Sequence, residues 1–268
     1  MNTVWDPAQY EAFGGERARP FRELVRRLTD SAPTAGADAG PARIVDLGCG
    51  TGELTATLAA RWPAAVIDGL DGSAEMIAEA RRREIPGRLS FRVGDVAAWR
   101  PEGPVDLIVS NAVLHWIPEH PDLLPRWTDA LTPGGRLAFQ VPGNFGEPSH
   151  VLLRELGRSD RWRDKLGALQ RDAPVLDPAG YLDLLARHGC AVDAWETTHV
   201  QVLQGDDPVL EWVKGSTLRP VLSALDPGET EEFLAAYRER LREAYPPAPY
   251  GTVFPFRRIF VIATRNDS

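Results

Sequence analysis

Three aspartates stand where a folded chain could turn them toward one ligand: Asp46, Asp71 and Asp95. Each lies at the end of a short β-forming run, with a glycine one or two residues away. A carboxylate at such a place can accept hydrogen bonds from ribose hydroxyls or from an adenine amino group. A helix cap or turn aspartate is the common plain alternative for any one of them. Three in succession at the ligand-binding edge of a sheet favour the functional reading.

The first acid opens the stretch Asp46-Leu47-Gly48-Cys49-Gly50-Thr51-Gly52. This is a strand running into a tight, side-chain-poor turn that feeds a helix. Glycine there permits close approach of a ligand to backbone and positive φ. The spacing is not the G-x-G-x-x-G of dinucleotide folds. An acid directly before the turn would repel a pyrophosphate but suits a ligand with a cationic, methionine-like end. The pattern D-x-G-x-G-x-G resembles that of class I S-adenosylmethionine-dependent methyltransferases. Gly48, Gly50, Gly52, Asp46, Asp71, Asp95 and Asn111, at the end of strand four, form the expected cofactor set. Asp68 competes with Asp71 for the ribose, but it lies mid-strand.

The elements that position these residues alternate. Strands are expected at Arg43–Leu47, Ala65–Leu70, Leu89–Val93, Val105–Val109 and up to Val141, with helices between them. Alternation of this kind reads as a parallel sheet with helices on both sides. Ser73 is placed to cap a helix over Ala74–Arg83, and an amphipathic helix is expected at Asp122–Leu131. Upstream, Asp6-Pro7 signals one helix and Pro20 opens another, with Phe21, Leu24, Val25 and Leu28 on one face. Residues 1–29 are expected to form a helical lid and 43–141 the cofactor-binding core. After Val141 the pattern becomes helical, with insertions at 144–191 and 207–246, a strand at Val192–Leu203 and a last strand at Phe254–Thr264. The fold class expected is α/β, a Rossmann-like seven-stranded sheet with a helical cap near the acceptor site, all in one domain spanning 1–268.

Composition narrows the partners. The 268 residues carry a net charge of −8, which argues against nucleic acid, since phosphate binding needs a basic face. No run of about 18 apolar residues and no apolar leader is seen, so the expectation is a cytoplasmic protein with no membrane partner, monomeric or weakly homo-oligomeric. Two cysteines, Cys49 and Cys190, make a disulfide framework improbable, and no cysteine–histidine cluster has metal-ligand spacing, so no metal is expected. Cys190 is read as buried packing in a helix-to-strand turn.

The chain also resembles the trans-aconitate 2-methyltransferase family from end to end. The resemblance rests on Trp5-Asp6-Pro7 with Tyr10 and Phe13, Glu16–Pro20, Asp46–Gly52, Ala112–His120, Pro142–His150, Trp212 with Leu218-Arg219-Pro220, and Phe254–Ala263. Members commonly carry glutamine at the place of His115, and some carry tryptophan at that of Phe145. The resemblance implies methyl transfer from S-adenosyl-L-methionine to one carboxylate of a small polycarboxylate. Such a nucleophile is already ionised at pH 7 and needs orientation and arginine partners rather than a base. Arg219 is the first choice for that role, followed by one of Arg257 and Arg258, with Trp5, Tyr10, Asn144 and His150 completing the acceptor set and Arg17 and Arg19 in reserve. His115, which follows strand four, is either a base or hydrogen-bond partner for the acceptor or a packed loop histidine beside a core tryptophan. The competing readings are a methyltransferase acting on a small-molecule hydroxyl or amine, and a non-catalytic S-adenosylmethionine-binding protein.

Overall fold

The computed structural model describes residues 14–30, 40–170, 174–215 and 217–266. These divide into two compact units. A sheet unit comprises Gly14–Val141, Val175–Glu196 and the chain from Ile259 onward, and a helical unit comprises Pro142–Pro174 and Thr197–Arg258.

In the sheet unit, helix α1 (Gly14–Asp30) precedes β1 (Arg43–Leu47), α2 (Glu53–Arg61), β2 (Val66–Asp71), α3 (Ala74–Ala80), β3 (Leu89–Val93), β4 (Val105–Asn111), α4 (His120–Asp129) and β5 (Leu131–Pro142). The chain continues through α5 (Pro148–Gly157), α6 (Arg163–Leu166), α7 (Pro178–Ala186), β6 (Cys190–Leu203), α8 (Pro208–Lys214), α9 (Arg219–Leu222), α10 (Pro227–Ala244), β7 (Pro247–Ala248) and β8 (Gly251–Arg265). The strand order is β3-β2-β1-β4-β5-β8-β6, with the two-residue β7 paired to β8. The first five strands are parallel, so the order reverses between β1 and β4, the place where open α/β sheets bind ligands.

Both faces of the sheet are covered, so β1 and β4 are buried along nearly their whole length. Val45, Leu47, Ile108, Phe139 and Val141 pack with Leu123, Leu124 and Trp127 of α4 and with Tyr181 of α7. Ile44, Leu107, Val109 and Ala138 point the other way, against Phe21, Leu24 and Leu28 of α1 and Leu58 of α2. The helical unit has its own core, in which Trp162, Trp212, Phe233, Tyr237, Phe254 and Phe256 are buried. Helix α10 presents Phe233, Tyr237 and Leu241 at four-residue spacing and starts in a capping box made by Asp226 and Glu229.

Four local expectations are corrected. Helix α1 begins at Gly14 and carries Pro20 inside it; burial of Phe21, Leu24 and Leu28 outweighs the lost backbone bond. The helix after Ser73 tightens into a 3₁₀ turn at Arg81–Arg83. Helix α4 starts and stops two residues earlier than expected, and Pro133-Gly134-Gly135 lies inside β5, as a bulge where the register passes from Val105↔Leu131 to Leu107↔Arg136. Strand β6 starts at Cys190, two residues before the expected Val192, and Cys190 is buried as read. Of the lid expected at 1–29, residues 1–13 lie outside the described residues, and the remainder belongs to α1, whose Phe21, Leu24 and Leu28 pack in the core of the sheet unit. Among those described, no helix is long and apolar enough to cross a membrane.

Candidate functional site

The glycine turn is shaped by backbone. Gly48, Gly50 and Gly52 all have positive φ, at 85°, 56° and 73°. At Gly48 a side chain would collide with Val113, whose Cγ2 lies 2.0 Å from an ideal Cβ. At Gly50 nothing lies within 4 Å, so that position faces open space and leaves room for a ligand against the backbone. The amides of Gly48 and Cys49 donate to the carbonyl of Leu70 at 2.7 and 3.0 Å, tying the turn to the end of β2.

Asp71 continues that tie. Its Oδ2 accepts from the Gly50 amide and its Oδ1 from the Ser73 amide, both at 2.9 Å. Two fixed N–H donors hold the carboxylate in one orientation and leave each oxygen a further lone pair for a hydroxyl. Ser73 caps α3 by accepting from Met76. Asp68 is engaged by Ser90 at 2.6 Å, and Asp95 is exposed, its Oδ1 accepting from Ala97 at 2.9 Å.

Asp46 is the buried acid, 3% exposed. Its Oδ2 accepts from Thr55 Oγ1 at 2.6 Å. Burial pushes its carboxyl up to about 7, with the Thr55 bond opposing and the nearby Asp71 charge adding to the rise. Such a group gains when a cation arrives beside it. Asn111 closes β4 with its Oδ1 buried and without a hydrogen-bond partner. The open side of Gly50, the pinned Asp71, the unmet Oδ1 of Asn111 and the buried carboxyl of Asp46 fit a nucleoside with a cationic tail. Burial raises the Cys49 thiol far above its ordinary range, which removes it as a nucleophile. His115 lies in a 3₁₀ turn, Leu114–Trp116, buried with its ring centroid 4.7 Å from that of Trp116.

The helical unit gathers a different set. Asn144 is fully buried, and neither its Oδ1 nor its Nδ2 has a hydrogen-bond partner. His150 on α5 is buried between two hydroxyls, Nδ1 3.2 Å from Ser149 Oγ and Nε2 3.3 Å from Thr217 Oγ1. Burial, assisted by the Arg154 cation, lowers its pKa to about 4, so it is neutral at pH 7. Arg154 donates to the carbonyl of Phe145 at 2.6 Å, and Arg257 to that of Gly143 at 3.3 Å. Arg219 opens α9 and is 9% exposed, next to the fully buried Leu218. Arg258 is buried with its guanidinium 4.1 Å from the centroid of Phe256.

The sheet unit thus brings together Asp46, the three glycines, Asp71 and Asn111, and the helical unit holds Asn144, His150, Arg219 and Arg257. Trp5 and Tyr10 lie outside the described residues. Sequence reasoning missed Thr55, Thr217 and Gln140. Gln140 carried a signal, since it is the one polar residue in Leu137-Ala138-Phe139-Gln140-Val141. Among the described residues no group of three or more histidine, cysteine or acidic side chains could hold a metal ion.

Residues 44–135 match the family model described as a methyltransferase domain. The chain is 55% identical to a trans-aconitate 2-methyltransferase of Streptomyces avermitilis, over 98% of this chain and 97% of that one. It is 52% identical to a protein of the same name from Streptomyces coelicolor, over 98% and 88% of the two chains. Among solved structures, the YcgJ protein of Bacillus subtilis superimposes with a TM-score of 0.57 over 92% of this chain and 99% of that one, at 12% identity. That likeness extends to the fold.

Proposed function

This chain belongs to the trans-aconitate 2-methyltransferase family, and from that premise we propose that it methylates one carboxylate of trans-aconitate, or of a related small polycarboxylate, giving a monomethyl ester and S-adenosylhomocysteine. When bound, S-adenosyl-L-methionine supplies an electrophilic sulfonium methyl with a neutral thioether as leaving group. Asp71 would hold the ribose hydroxyls and Asp95 the adenine amino group. The backbone at Gly48, Gly50 and Gly52, with Asp46 and Asn111, would hold the rest of the cofactor.

The acceptor carboxylate is ionised at neutral pH, so no residue has to remove a proton from it. What it requires is orientation and loss of water. The remaining carboxylates must be paired, because a buried anion without a partner costs several kcal/mol. Arg219 and Arg257 would pair them, Asn144 and the neutral His150 would complete the hydrogen bonding, and Trp5 and Tyr10 would add contacts. His115 then serves as a hydrogen-bonding residue rather than a base. The net charge of −8 supports a reading without nucleic-acid partners, and we take the protein to act in the cytoplasm as a monomer or weak homo-oligomer.

The observation that carries this reading is the buried guanidinium of Arg219 in the helical unit. Steady-state kinetics test it. Arg219→Ala is expected to raise the KM for trans-aconitate at least ~10-fold, the scale of a charge-assisted hydrogen bond worth about 1.5–3 kcal/mol. Affinity for S-adenosylhomocysteine should hold, and Arg219→Lys should recover part of the loss, keeping the charge but not the planar fork. Equal weakening of both ligands would assign Arg219 to support of the fold.

A further inference from the structure

Gln140 is 1% exposed, and both of its carboxamide atoms, Oε1 and Nε2, are buried without a hydrogen-bond partner. A buried amide in that state carries the full desolvation cost of each unmet group. It persists in a native fold when a role offsets the cost.

Register places it. Gln140 of β5 is level with Asn111 of β4 in a parallel pair, and parallel neighbours in register share a face. That face is the one carrying Ile44, Leu107, Val109 and Ala138, because Phe139 and Val141 on either side of Gln140 belong to the opposite core. Asp46 lies on the same face, paired with Val109. Three polar side chains on adjacent strands β1, β4 and β5 therefore share one face at the carboxyl-end rim. The Oδ1 of Asn111 and both amide atoms of Gln140 remain unmet there, although the two residues are neighbours.

We propose that Gln140 is a cofactor-contacting residue, whose carboxamide, beside Asn111 and Asp46, holds the α-amino-acid end of S-adenosyl-L-methionine. The donor and acceptor inventory points to this ligand group. The cluster offers acceptors on Asp46, Asn111 Oδ1 and Gln140 Oε1, with N–H donors on the carboxamide nitrogens of Gln140 and Asn111. An ammonium presents three N–H donors to those acceptors, and the carboxylate on the same carbon can accept from the carboxamide N–H groups. A polycarboxylate would instead meet a surplus of acceptors and the Asp46 charge. The inference rests on the methyltransferase reading but adds a residue and a ligand group to it.

The test compares two probes that share the adenosine and the thioether and differ in the amino-acid end. S-adenosylhomocysteine has that end and 5′-methylthioadenosine lacks it. Calorimetric titration of the parent protein should detect S-adenosylhomocysteine binding; its absence would remove the methyltransferase reading together with this one. In Gln140→Met, affinity for S-adenosylhomocysteine is expected to fall at least ~10-fold while that for 5′-methylthioadenosine stays within about 2-fold. The melting temperature of the ligand-free variant is expected to rise by about 2–4 °C, since an unpartnered amide has been replaced by an apolar side chain of similar length. Equal loss for both probes would assign Gln140 to the fold. Unchanged affinity would assign the amide to internal water, and a change confined to the KM of the acceptor would assign it to the acid; each overturns the proposal. Should Gln140→Met fail to fold, Gln140→Asn carries the same comparison with the amide retained but one methylene short.

Discussion

The sheet unit and the helical unit each bury an ionisable group, and burial drives the two in opposite directions. Asp46 is pushed up to about 7 and His150 down to about 4. Desolvation is the leading cause in both cases, and in both it favours the uncharged form. The surroundings differ. Asp46 has one hydroxyl partner, Thr55, and sits beside a turn made of backbone. His150 is held between two side-chain hydroxyls, in a unit whose polar interior is built from side chains. The first arrangement would be stabilised by a cation placed beside it. The second keeps an imidazole neutral beside the Arg154 cation.

The largest expected effect is at Asp46. Its folded pKa of about 7 stands against an ordinary 3.8. A carboxyl with a raised folded value contributes stability that is complete below about pH 4 and is lost as pH rises through about 7. Three units correspond to about 4 kcal/mol at ~1.4 kcal/mol per unit. Asp46→Asn stays neutral and can still accept from Thr55. Urea unfolding of the ligand-free proteins should therefore show the variant gaining on the parent by about that amount between pH 4 and 7. A constant difference over the window would mean that Asp46 is ionised in the fold, and the contrast with His150 would disappear.

At His150 the sign reverses. The folded value lies below the ordinary 6.5, so the stabilising contribution is present above about pH 6.5 and is lost as pH falls through about 4. The expected loss is about 3 kcal/mol for the parent protein. His150→Gln offers Ser149 and Thr217 an amide that does not titrate, so the parent should lose stability relative to this variant as pH falls from 6.5 to 4. Parallel curves would mean that the folded His150 titrates at its ordinary 6.5, and the contrast with Asp46 would disappear.

The two units also differ in how far their sequence could be read. A site built on backbone demands glycine and strand-end acids at set intervals, so Gly48, Gly50, Gly52, Asp46 and Asp71 stood out by type and spacing. The parallel order followed from the alternation of strands and helices. Side-chain sites leave no such trace. Asn144, His150 and Arg219 were reached through family resemblance, and Thr217 was missed, because a buried polar contact between distant segments has neither period nor motif. Pro20 misled in the other direction: local chemistry calls for a helix start, while packing of Phe21, Leu24 and Leu28 carries the helix through it. Gln140 broke an apolar strand in plain view, but one polar residue in a buried strand does not disclose what it faces.

The smallest effect on stability, and the one that most sharpens the idea of a backbone-built site, is expected at Gly50. Gly48 cannot accept a side chain, because Val113 occupies the space. Gly50 has the same left-handed backbone, φ 56°, but nothing within 4 Å of an ideal Cβ. Gly50→Ala therefore incurs only the backbone strain of an L-residue in that region, about 1–2 kcal/mol, and its melting temperature should fall by only a few degrees. Ligand binding should suffer more than stability does. The added methyl would stand on the open side of the turn, between the backbone and a ligand that needs close approach, so affinity for S-adenosylhomocysteine should fall ~10-fold or more. If Gly50→Ala binds as tightly as the parent, the open side of the turn is not the ligand side. The cofactor reading of the sheet unit would then rest on Asp71, Asn111 and Gln140 alone.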